Sequence, residues 1–154
     1  MLETKSHLEE FIKKEHICFP KEKSQEGILK SLIQKAVNTG ALPSFETFYD
    51  AILQRESIIS TGIGMGVAIP HAKIKECNDF FMVVGIHGDD GVDWNAIDGF
   101  KVKLIFLIGG PVNYHKEYLS ILSELTHFIK DEGRRHQIMH ANRVEEVVNI
   151  FQSW

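Results

Sequence analysis

Two cysteines in 154 residues, Cys18 and Cys77, are too few and too far apart for a disulfide framework or a zinc site. No uninterrupted apolar stretch reaches the roughly 18 residues of a membrane-spanning helix. The charged segment 1–14 lacks the apolar core of a secretory signal. Basic residues are also in deficit. With 17 Lys and Arg against 21 Asp and Glu, the formal charge is −4, which argues against nucleic acid and against a membrane surface as partners. These absences leave the cytoplasm as the expected compartment.

What remains is an ordinary globular composition, 44% hydrophobic with 25% charged, in a chain long enough to bury a core as one domain spanning 1–154. Residues 2–14 carry Leu8, Phe11 and Ile12 among charges, as an amphipathic helix would. Ile17-Cys18-Phe19, stopped by Pro20, reads as a small edge strand. Ser24 is placed to cap a helix bearing Ile28, Leu29, Leu32, Ile33, Ala36 and Val37 at helical spacing, with Gly40 as its stop. Ser44 opens another, with Phe45, Phe48, Tyr49, Ile52 and Leu53 on one face, running to about Arg55.

Two apolar runs, 80–86 and 102–108, are bounded by turn residues and read as strands covered on both faces. The last third is helical: Leu119, Leu122, Leu125 and Ile129 share one face. A capping-box pattern, Asn142-x-x-Glu145, begins a final helix burying Val144, Val147, Val148 and Phe151. Helices before, between and after strands predict an α/β fold, a three-layer α/β/α sandwich with a mixed central sheet.

The chain is organised around residues 59–73. Gly62, Gly64 and Gly66 at alternate positions exclude a comfortable helix and let backbone N–H groups crowd a small anion. Val67-Ala68-Ile69 reads as a buried strand that Pro70 should end, which places His71 at a strand end beside the glycine loop. An imidazole next to an anion cradle suits phosphoryl chemistry. No Lys-Ser/Thr ends the glycine loop, so this is not a nucleotide-binding P-loop.

The string Thr61-Gly62-Ile63-Gly64-x-Gly66-Val67-Ala68-Ile69-Pro70-His71 resembles the signature of the fructose/mannitol-type EIIA domains of the bacterial phosphoenolpyruvate-dependent phosphotransferase system, a family with a nitrogen-regulatory branch. The resemblance continues through residues 24–40, Arg55-Glu56, Gly91-Val92-Asp93-Trp94, 102–108 and 119–131. The ending, 149–154, is similar to nitrogen-regulatory members. The resemblance implies a phosphocarrier that accepts phosphate on His71 from the carrier protein HPr. It would act on regulatory targets or, alternatively, pass phosphate to an EIIB domain for sugar uptake; no cofactor or metal is implied.

Neutral imidazole is a competent nucleophile at cellular pH, but the sequence leaves open which ring nitrogen is used. Arg55 reads on its own as a helix-end cation near the C-terminal dipole. The resemblance places it in the active site, sixteen residues before His71, where its planar fork can hold two phosphoryl oxygens. Thr61 would touch phosphate or cap the loop, and Glu56 would orient Arg55 or be a surface carboxylate.

This chain departs from the family at a second active-site histidine. Aligning the family's helix motif on Leu119-x-x-Leu122-x-x-Leu125 puts Tyr118 at its place, with His115 one helical turn earlier; either is a candidate. His136-x-x-x-His140 has zinc-pair spacing without the metalloprotease Glu or a third ligand, and reads as a solvated pair. Asp89, Asp90 and Asp93 read as a turn and not a calcium loop. His7, His16, His87 and His127 have no partner pattern. The competing functions are a binding module that keeps this fold without transferring phosphate and, more remotely, a metal hydrolase built on His136 and His140.

Overall fold

A computed structural model describes residues 8–88 and 90–153. The predicted N-terminal helix is not there as such. Residues 1–7 lie outside the described part, and the segment after them forms two single 3₁₀ turns, Leu8–Glu10 and Lys14–His16. Strand β1 (Ile17–Cys18) leads to α1 (Gln25–Asn38), whose first turn is capped by Ser24 Oγ accepting from the Gly27 N–H at 3.0 Å. Helix α2 (Phe45–Ile58) runs one turn past the expected end at Arg55. The chain then forms β2 (Gly62–Gly64), β3 (Val67–Ala68), β4 (His71–Lys73), β5 (Phe81–Ile86), β6 (Leu104–Gly110), α3 (His115–Ile129), α4 (Glu132–Met139) and α5 (Val144–Gln152).

The six strands form one mixed sheet in the order β1-β5-β6-β3-β2, with β4 also paired to β6. Strand β6 is central. It runs antiparallel to β5 (Val84 opposite Phe106) and parallel to β3 and β4 (Val67 opposite Leu104, His71 opposite Ile108). Alternation along the strands feeds two cores. Met82, Val84, Ile86, Leu104, Phe106 and Ile108 face α3, α4 and α5, where Phe128 and Phe151 stack at 4.2 Å. Phe81, Val83, Ile105 and Leu107 face α1 and α2. The expected α/β/α layering is therefore what the chain adopts. No helix among the described residues is long and apolar enough to cross a membrane.

Strand β3 ends at Ala68, ahead of Pro70, as expected. Pro70 cannot donate a ladder bond, but its carbonyl accepts from the Ile108 N–H at 3.0 Å, and a new strand, β4, starts at His71 beside β6. In α3 the buried face is Tyr118, Ile121, Leu125, Phe128 and Ile129, whereas Leu119 is exposed. The Asn142–Glu145 capping box is not formed: α5 starts one residue later, after Arg143, with no side-chain cap. Helix α4, which had no sequence reading of its own, is capped by Asp131 accepting from the Gly133 N–H at 2.9 Å.

Gly109 and Gly110, the turn residues bounding the apolar run 102–108, are inside β6. A Cβ on Gly109 would lie 2.4 Å from Phe81 and 2.7 Å from Phe48, and one on Gly110 would lie 2.1 Å from Phe80. The aromatic rings occupy the space that side chains would need. Gly109→Ala is therefore expected to destabilise the fold by about 1–3 kcal/mol, the usual cost of overpacking. Urea unfolding should show a lower midpoint with an unchanged slope.

Candidate functional site

His71 opens β4 at the sheet edge, where α2 from one helix layer and α3 from the other both reach it. Its ring nitrogens are differentiated by their neighbours. Nδ1 lies 2.7 Å from the Ile69 carbonyl oxygen, which can only accept, so Nδ1 carries the proton. Arg55 Nε donates to Nε2 at 3.3 Å, so Nε2 presents its lone pair. Burial, the largest influence, lowers the His71 pKa from 6.5. Arg55 and Lys73 push the same way, while the Ile69 hydrogen bond and Glu56 oppose. The imidazole is thus held neutral and half-buried, with one nitrogen committed and the other open.

Arg55 sits in the last turn of α2 and is itself fixed, its Nη1 donating to the Ile59 carbonyl at 2.8 Å. Glu56, the next residue, does not bond Arg55. Its carboxylate accepts from the Thr61 hydroxyl, from the Thr61 N–H at 3.2 Å and from Trp94 Nε1 at 3.2 Å. Thr61 is accordingly buried and its hydroxyl is spent.

The glycines are not gathered around His71. Gly64 and Gly66, with positive φ of 92° and 75°, flank Met65 (φ 61°) in the tight turn that joins β2 to β3. The register puts Gly64 beside Val67, four residues or about 13 Å along the sheet from His71. The Met65 N–H is donated to Asp98 Oδ2 at 2.9 Å, and the Gly62 N–H to Ser60 Oγ at 3.0 Å. The expected anion cradle is a hairpin whose amides serve the fold.

Of the two candidates for the second position, Tyr118 is the inner one. Its ring is 5.7 Å from the His71 ring and stacks on Phe80 at 6.1 Å. Burial drives the phenol far above its usual pKa of 10, so it stays protonated. His115 begins α3, is exposed, and meets the site only through Lys73, whose Nζ donates to its Nδ1 at 3.3 Å. Lys73 Nζ also stands 4.7 Å over the Tyr118 ring. Sequence reasoning passed over Lys73. Its signal was strand periodicity: two residues after His71, it shares the face of β4.

The remaining histidines stand elsewhere. His16 Nε2 lies 2.6 Å from Thr39 Oγ1, and His87 Nε2 donates to the Glu22 carbonyl at 2.8 Å. His136 and His140 are exposed with rings 4.1 Å apart, and no group of three or more metal-ligating side chains occurs among the described residues. Asp93 accepts from the Asn95 N–H at 3.1 Å, a turn contact; His7 and Asp89 lie outside the described residues.

The model of the family described as "Phosphoenolpyruvate-dependent sugar phosphotransferase system, EIIA 2" matches residues 10–154. The fructose-specific EIIABC component of Bacillus subtilis is 32% identical over 84% of this chain, which spans only 20% of that protein. The nitrogen regulatory protein of Escherichia coli is also 32% identical, over 83% of this chain and 78% of its own. Among solved structures, the nitrogen regulatory protein IIA-Ntr of Neisseria meningitidis superposes with a TM-score of 0.86 at 26% identity, covering 93% of this chain and 97% of that one.

The site's electrostatics predict its titration. In the folded chain His71 should titrate below 6.5, and Arg55→Gln, which removes a neighbouring cation, should move the midpoint upward; ring-proton NMR shifts read both. His16, lowered by burial in the same way, adds to the linkage. Below 6.5 the unfolded chain takes these protons before the folded one does. Stability is therefore full above 6.5 and falls as pH drops from there through the folded values.

Proposed function

This chain belongs to the EIIA 2 family of the phosphoenolpyruvate-dependent sugar phosphotransferase system, and from that premise we propose that it carries the phosphoryl group on Nε2 of His71, received from HPr. The observation that carries this reading is the pair of contacts on one ring: Nδ1 bound to the Ile69 carbonyl, Nε2 turned to Arg55. In the step, the Nε2 lone pair attacks the phosphorus of the donor's phosphohistidine. The donor N–P bond breaks and its electron pair returns to the donor ring while the Nε2–P bond forms. Nε2 has no proton to lose, because the ring's one proton is on Nδ1; the acceptor becomes a phosphorylated imidazolium that still donates to Ile69, and the donor leaves as neutral imidazole with a proton on its other ring nitrogen.

Chemistry of this kind asks the protein for positioning and charge more than for bond-making groups. Arg55 supplies the charge. Its Nε–H, which now faces the Nε2 lone pair, is placed to turn to a phosphoryl oxygen once that lone pair is used.

The whole stretch 1–154 acts in this reading as one EIIA domain in the cytoplasm, with regulatory proteins as its outlet. Its kinship to nitrogen regulatory proteins in sequence and shape supports that outlet. The phosphate adds about −1.5 to −2 charge to a chain already at −4, enough to repel an acidic partner surface or recruit an arginine. A second reading, delivery to an EIIB domain for sugar uptake, is favoured by the equal identity to the fructose component. Loss of label from phosphorylated protein to an added EIIB separates the two.

Incubated with phosphorylated HPr, the wild type should gain one phosphoryl group by intact mass, and His71→Ala none. Arg55→Gln should be phosphorylated about a hundredfold more slowly, the scale of losing one charge-stabilising donor. A wild type that stays unmodified while the same donor phosphorylates another acceptor would overturn the reading.

A further inference from the structure

Thr61 and Ile69 stand directly opposite each other, one step beyond the Gly62–Ala68 pair of the β2–β3 hairpin. Such an antiparallel pair ordinarily exchanges two backbone bonds. Here only one is made, the Ile69 N–H donating to the Thr61 carbonyl at 3.0 Å. The reciprocal donor, the Thr61 N–H, is taken by Glu56 Oε2 at 3.2 Å, and the Thr61 hydroxyl is taken by Oε1. Trp94 Nε1 locks the arrangement, bonding Glu56 Oε1 at 3.2 Å and Thr61 Oγ1 at 3.1 Å. The Ile69 carbonyl, relieved of its ladder donor, accepts from His71 Nδ1 at 2.7 Å.

We propose that Glu56 is a positioning residue for His71: by diverting the Thr61 amide it keeps the Ile69 carbonyl for the imidazole, and so selects the tautomer that leaves Nε2 bare. The proposal deepens the phosphocarrier reading and rests on it for its consequence in transfer, but the tautomer is measurable without any donor. Without the carboxylate, the Thr61 N–H has the opposing Ile69 carbonyl as its ready acceptor. The ladder bond then re-forms and competes with Nδ1–H. A released imidazole drifts toward the Nε2–H form, whose outward nitrogen is protonated and cannot attack phosphorus.

The test is nitrogen-15 NMR of the His71 ring combined with phosphorylation kinetics. Wild type should show Nδ1–H at His71 and a scalar coupling across the Thr61 N–H to Glu56 bond. Glu56→Ala should show a mixture with Nε2–H and accept phosphate from HPr about tenfold more slowly, the scale on which partners that set histidine tautomers act in metal sites. Thr61→Val, which removes the hydroxyl and keeps the amide on Glu56, should retain the wild-type tautomer.

Charge loss alone works in the opposite direction. Glu56 raises the His71 pKa, so its removal leaves more neutral imidazole, and slower transfer cannot come from titration. Should Glu56→Ala not fold, Glu56→Leu replaces it, filling similar space with no acceptor for either Thr61 donor. A wild-type Nε2–H signal, or an unchanged tautomer in the folded variant, would overturn the inference. A wild type with the expected tautomer that HPr never phosphorylates would instead sink the phosphocarrier reading.

Discussion

The hydrogen bond from His71 Nδ1 to the Ile69 carbonyl decides what this site can do, because the two nitrogens of a neutral imidazole cannot both be nucleophiles. Everything else in the pocket is consistent with that one choice. The Arg55 donation to Nε2 is favourable only while Nε2 is unprotonated. Burial and two nearby cations disfavour a second ring proton, so the bare nitrogen stays bare at neutral pH. The bond spans only two residues, so it costs little chain entropy beyond what the strand has already lost.

That short bond is available because of where the fold breaks its own pattern. Strand β4 is an edge strand whose ladder to β6 survives Pro70 through the Pro70 carbonyl, so His71 is held in register opposite Ile108. To that ring α2 brings Arg55 and α3 brings Tyr118, one from each helix layer.

Much of this was legible in the sequence. The period of 3.6 in α1 and the near-continuous apolar runs of β5 and β6 dictated both layers and the central strands. The 16-residue spacing of Arg55 and His71, read through the family resemblance, became a direct contact. What misled were the short-range signals. Pro70 was read as a stop, and β3 does end before it, but the sequence did not show that the carbonyl Pro70 keeps lets a second strand, β4, start on the same neighbour. The glycines were read as an anion cradle, but alternate glycines equally suit a tight turn with three positive-φ residues, in which the Gly62 amide goes to Ser60 and the Met65 amide to Asp98. Glu56 was read as orienting Arg55 or as a surface carboxylate, and its actual role was missed for another reason. Its partners, Thr61 and Trp94, are five and thirty-eight residues away, and no local pattern reports such a network.

The missing second histidine changes the character of the pocket more than its purpose. An imidazole at position 118 would bring a further titrating group to the site. Tyr118 brings instead a phenol that burial keeps protonated and a ring face stacked on Phe80. That face holds Lys73 by cation–π attraction, with the ammonium reaching His115 beyond it. In the proposed phosphorylated state the charge of about −1.5 to −2 on Nε2 would meet the Arg55 guanidinium directly, with the Lys73 ammonium over the neighbouring Tyr118 ring. Arg55 and Lys73 both lower the His71 pKa, so the cations that would meet the phosphoryl group in the proposed carrier also help to keep the imidazole neutral before it arrives.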